Sequence, residues 1–161
     1  MTEYLIAALL WLSIVGSGLI AGIYFAFSTF VMTALGRLEQ SAGMAVMNAV
    51  NTVILRSPFV PIFFGTTLTS AVLSVLGLIF WGEPGTMAML AGGIIYVLGM
   101  FVVTVARNVP LNDALAALGP GSEEAAVVWV RYLREWTAWN HVRTIASSLA
   151  MILFVIALAA R

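Results

Sequence analysis

These 161 residues contain no cysteine, no lysine and a single histidine. Without cysteine there can be no disulfide, no thiol nucleophile and no iron–sulfur ligation. One histidine supplies at most one imidazole ligand per chain for a haem. Charge is also scarce: 9% of residues are Asp, Glu, Lys or Arg, where a soluble domain carries roughly a quarter. The formal net charge is zero, so the chain lacks the basic surplus that a nucleic-acid partner would require. A surface this poor in charge must be covered by lipid.

What is abundant is apolar sequence, at 62% of residues and a mean hydropathy of +1.07. Four charge-free runs stand out: Tyr4–Gly36, Ser57–Gly82, Pro84–Ala106 and Thr144–Ala160. A spanning helix needs about 20 apolar residues. The first three runs suffice, whereas the fourth must draw on residues before Arg143. The first run is read as a span, not a cleavable signal, because MTEYL places Glu3 where a signal carries a basic residue.

The expected fold is all-α: an integral membrane four-helix bundle in one domain over residues 1–161, with a cytoplasmic interfacial helix. Spans are expected over about 4–31, 58–81, 86–107 and 140–160. The interfacial helix falls at about 41–55, and a long, partly extramembrane fourth helix begins at about 123 and is continuous with its span. Arg37, Arg56, Arg107, Arg131, Arg134 and Arg143 lie in the two long loops or at their edges, against Arg161 alone at the other side. The positive-inside rule therefore puts those loops in the cytoplasm and both termini outside, in a bacterial-type inner membrane.

Several local features carry structural expectations. Gly18, Gly22 and Ala26 form a small-residue stripe suited to close helix contact. Small-residue stripes also make a homodimer plausible. WGEPG (Trp81–Gly85) reads as a tight turn with Trp81 in the interfacial aromatic belt. Leu118–Ser122 breaks the chain, and Ser122 followed by Glu123 and Glu124 reads as a helix start. Thr104, Asn108 and Asn112 share a face of an unbroken helix, but Pro110 removes a backbone donor and disfavours helix at Val109, so a kink is expected at the membrane edge.

The chemistry concentrates at WTAWNHVR (Trp136–Arg143). Projected at about 100° per residue, Trp129, Tyr132, Trp136, Trp139, Asn140, Arg143 and Ser147 fall on one stripe, with Arg131 and Arg134 opposite. His141 leaves the stripe. Only 17 residues separate Arg143 from Arg161, about 25 Å of helix against a ~30 Å hydrocarbon core. Arg143 therefore sits at or inside the apolar boundary, on the face that meets other helices. A charge so placed marks a functional site with a partner, and snorkelling to the headgroups is the plainer account. The partners on the same side are Asn48, Asn51, Asn108, Asn112, Asp113 or a bound anion. Aromatic walls, amides and one fixed cation suit a flat aromatic ligand bearing oxygen, or a lipid-like one.

NVPLN (Asn108–Asn112) followed by WTAWNHVR resembles the anthrone-oxygenase-like membrane proteins. GIYFAFSTFVMTAL (Gly22–Leu35) and NAVNTVILRSPF (Asn48–Phe59) fit the same pattern, with a departure at Thr33, where a proline is expected. The resemblance implies a compact four-helix membrane protein. Some members are oxygenases that turn anthrones into anthraquinones without an evident metal or flavin. No catalytic residue carries over with it.

Such a reaction needs a base and a fixed positive group for an oxyanion. Arg143 with Asn140 or Asn112 suits the second role. His141, as the side-chain type most often used for general base work, or Asp113 suits the first. No metal ligand set and no cofactor are expected, while a bound quinone, flavin or haem stays open. Two other readings compete. A non-enzymatic membrane module would bind a lipid, a small molecule or a partner protein and turn nothing over. A small-molecule transporter would use the likeness of the two chain halves, yet no carboxylate lies within a span to couple ions.

Overall fold

The computed structural model describes residues 2–119 and 122–161. The expected break at Leu118–Ser122 falls partly on Pro120 and Gly121, which lie outside the described residues. The all-helical, four-span fold expected from the sequence is the one observed, with 87% of the described residues helical. The helices are α1 (Thr2–Leu35), α2 (Gln40–Ile54), α3 (Phe59–Ile79), α4 (Thr86–Ala116) and α5 (Glu123–Ala159). All but α2 are long and apolar enough to cross a membrane.

Local chemistry sets the helix starts. Ser122 caps α5 by accepting from the Ala125 amide at 3.1 Å, with Glu123 and Glu124 in the first turn. Glu39 caps α2, accepting from the Ser41 and Ala42 amides. The Ser41 hydroxyl donates to it as well, and this bond leads in holding the Glu39 carboxyl below its ordinary range. Gly85, at φ +80°, starts α4, and a side chain there would strike the Ala157 carbonyl at 2.6 Å.

The spans form a ring in which α1 lies beside α5, α5 beside α4, α4 beside α3 and α3 beside α1. At about 1.5 Å per residue, the 37-residue α5 runs some 55 Å, well beyond a ~30 Å hydrocarbon core. Helix α1 (34 residues) and α4 (31 residues) also overshoot. Their ends meet α2 in a cap with its own core of Met32, Leu35, Met44, Met47, Leu115 and Trp129. A separate core fills the bundle, built on Leu10, Ile20, Leu73, Met89, Tyr96 and Phe154.

Helix α4 carries on past Pro110 to Ala116, through wide π turns at Val97–Val102 and Thr104–Asn108. The wide turn shifts the hydrogen-bond register just before Pro110, so the missing N–H falls at the first turn of the next α segment, where proline is tolerated. Of the Gly18–Gly22 stripe, expected to suit close helix contact, Gly18 has a close neighbour and Gly22 has none. Nothing lies within 4 Å of a Cβ placed at Gly22, and at Gly18 it meets only the Met151 sulfur at 3.2 Å. Closer approach falls at Gly16 against Thr66 and at Gly93 against Ser70. Those glycines face α3, whereas Gly22 turns away from any neighbour.

Candidate functional site

Where the bundle meets the cap, a cavity of about 510 Å³ lies between α1, α2, α3, α4 and α5. Arg143 of α5 projects into it and is only 3% exposed. Its guanidinium carbon lies 4.1 Å from the centre of the Tyr24 ring and 4.9 Å from that of Trp136. One Nη donates to Asn140 Oδ1 at 2.7 Å and the other to Thr104 Oγ1 at 3.4 Å. Nε has no partner.

Asn140 fixes this arrangement. Its amide nitrogen donates to the Tyr24 carbonyl and to Ser28 Oγ, both at 2.7 Å, which turns its oxygen towards Arg143. Tyr24 lies in the last turn of the α segment that precedes the π turn Phe27–Val31, so the asparagine of α5 holds α1 next to its wide turn.

Among the described residues the ion pairs are Arg131–Glu135 and Arg134–Glu135, both outside the cavity. Arg143 is thus compensated by two ring faces, an amide oxygen and a hydroxyl, with no carboxylate. Ring faces attract a cation but do not neutralise it. The remaining N–H donors leave the site prepared for an oxygen of high electron density. Three further unpartnered buried atoms belong to lining residues: Trp136 Nε1, Asn48 Oδ1 and Asn51 Nδ2.

The residues singled out by the sequence divide into two groups. Arg143, Trp136, Asn48, Asn51, Asn112 and Asp113 line the cavity, Asp113 from an exposed position at its edge. Asn140 stands directly behind Arg143. Trp129, Tyr132, Trp139, Asn108 and His141 do not line it.

Trp129, Tyr132 and Trp136 form a stacked column, with ring centres 5.8 and 5.7 Å apart, whose last member alone reaches the cavity. Tyr132 donates to Asn112 Oδ1 at 2.8 Å and so orients that amide. Asn108 is buried and donates to the Trp136 carbonyl at 3.2 Å. Trp139 lies under Arg107 on the flank, 4.9 Å from its guanidinium carbon. His141 is exposed on the outer face of α5.

Aromatic walls were expected from α5, yet apart from Trp136 they are built by other helices. They come from Tyr24 and Phe27 on α1, Phe59, Phe63 and Phe64 on α3, and Phe101 on α4. Helical spacing, three apart at 24 and 27 and four apart at 59 and 63, was the available signal. Among the described residues no group of three or more His, Asp or Glu side chains stands in a metal-ligating arrangement.

Fold and site together define a polytopic helical membrane protein with an aromatic-walled cavity around one buried cation. The sequence profile of the anthrone oxygenase family matches residues 59–153, more than half of the chain, and the chain belongs to that family. The match takes in Asp113, Trp136, Asn140 and Arg143, while Tyr24, Asn48 and Asn51 lie outside it. No curated protein and no solved structure matches the chain.

Proposed function

We propose that the chain is a membrane oxygenase acting on a flat, oxygen-bearing aromatic of the anthrone class, held in the cavity with its oxygen on Arg143. The observation that carries this reading is a buried, carboxylate-free arginine caged by Tyr24 and Trp136 and open to a cavity of about 510 Å³. Family membership supports it, and the arginine bias of the loops supports a cytoplasmic location for this end of the bundle.

The chemistry follows from the substrate class. Asp113 takes a proton from the ring CH₂ opposite the carbonyl, and the electron pair spreads onto the carbonyl oxygen. Arg143 and the Trp136 N–H hold that oxyanion. Dioxygen accepts the electrons and bonds to the ring carbon as a peroxide, which takes up a proton. Loss of water from the hydroperoxide then leaves a second carbonyl. In sum one CH₂ and one O₂ give one C=O and one H₂O. Asn112, Asn48 and Asn51 orient the ring through its other polar substituents.

One observation favours a binding module without turnover: the titratable side chains lining the cavity are Tyr24, Asp113 and Arg143 alone among the described residues. Oxygen uptake by the purified chain in lipid nanodiscs supplied with anthrone separates the two readings. The oxygenase consumes one O₂ per quinone formed and loses at least ~100-fold in rate in Arg143→Ala. Anthrone binding by folded protein with no oxygen uptake defeats the oxygenase reading.

A further inference from the structure

The cavity reaches the outside of the bundle in an unusual place. Phe64 of α3 and Val105 of α4 both line it, yet they are 57% and 52% exposed. Both lie within charge-free runs, Ser57–Gly82 and Pro84–Ala106, so the surface they share faces hydrocarbon. Helices α3 and α4 touch closely at the far end, where a Cβ at Gly77 would meet the Thr86 carbonyl at 2.7 Å and Gly93 abuts Ser70. At the cavity end they are bridged by rings, with Phe63 and Phe64 centred 5.6 and 6.2 Å from Phe101. The π turns of α4 fall in this stretch.

Polarity changes along the cavity. The unpartnered donors and acceptors of Arg143, Trp136, Asn48 and Asn51 sit at its inner end. The seam is lined by hydrocarbon from Val60, Phe64, Phe101 and Val105. A polar head and an apolar outlet to lipid match one kind of occupant.

We infer that the cavity opens sideways into the bilayer between α3 and α4, and that its ligand is a membrane-dissolved amphiphile: an oxygen-bearing ring head on Arg143 with a hydrocarbon tail passing through the seam. This rests on the same cavity being a ligand site, and it adds the route of access and the tail. A tail lying in lipid and a tail lying in the seam meet equally apolar surroundings. The seam therefore makes a tail tolerable, without making the ligand tighter.

The test uses two probes, 2-methyl-1,4-naphthoquinone and the same ring carrying a ten-carbon alkyl chain. Equilibrium binding is measured in nanodiscs as probe per lipid, with empty nanodiscs subtracted. Wild-type protein binds both within about threefold. Val105→Trp plugs the seam from α4 and weakens the tailed probe about tenfold or more relative to the tailless one. Val60→Trp does the same from α3 and covers the case in which the first variant does not fold.

Rejection of the tailed probe by wild type, or indifference of both plugged variants, overturns the sideways opening while leaving the cavity as a site. Failure of wild type to bind either probe overturns both readings. Arg143→Ala, which weakens both probes equally, reports on the head alone.

Discussion

Asn140 of α5 donates a 2.7 Å hydrogen bond to the backbone carbonyl of Tyr24 on α1, across the bundle and beside the first wide turn. Its oxygen meanwhile holds Arg143, whose guanidinium lies over the Tyr24 ring. Three elements of the site are tied to one amide with no exposed surface.

Asn140→Leu accordingly removes the partner of a buried carbonyl, of Ser28 and of Arg143 at once. The expected loss of stability is roughly 1–3 kcal/mol, read from reversible unfolding in mixed detergent. Ligand affinity falls with it, because the guanidinium loses its tether. A fully stable variant with a normal binding site would show that the wide turn satisfies itself.

Arg143→Met is expected to behave in the opposite way. A buried cation without a carboxylate is a costly occupant, and an apolar side chain of similar length relieves that cost while giving up the ring contacts. Stability should stay within about 1 kcal/mol of wild type, while binding of an oxygen-bearing ring drops sharply. Unfolding of this variant would make the arginine a structural residue.

The position of the base separates Asp113 from His141. Asp113→Asn should lower turnover by roughly 10²–10⁴ with substrate affinity little changed. His141→Gln, on the exposed outer face, should leave both intact. Steady-state rates with separate binding measurements decide it, and a large effect of His141→Gln would move the proton chemistry out of the cavity.

Helix α2 is set by one close approach. A Cβ at Gly43 would meet the Trp129 ring at 2.7 Å and the Leu35 carbonyl at 3.0 Å. Gly43→Ala should therefore push α2 off the cap at roughly 1–3 kcal/mol, shift the tryptophan emission and weaken ligand binding through Asn48 and Asn51. Gly22→Ala, with open space around it, is the matched control and should not destabilise.

The membrane class, the four spans and the inward stripe of α5 are all legible in the residues alone. Hydropathy and the 3.6-residue period are local properties, legible without a partner, and so Trp136, Asn140 and Arg143 could be placed on one inner face. The same period could not distinguish Trp136 from Trp129 and Tyr132, which share its face. Tertiary packing sets the cap over those two and lets the cavity begin at the third.

It also decided that the walls come from phenylalanines on α3 and α4 and from Tyr24 and Phe27 on α1. Which faces of separate helices meet depends on contacts between residues distant in sequence. Pro110 shows the limit in the other direction. Its missing N–H is a local fact, yet the wide turn that places Pro110 in the first turn of an α segment, where that donor is not needed, is not written in the local pattern.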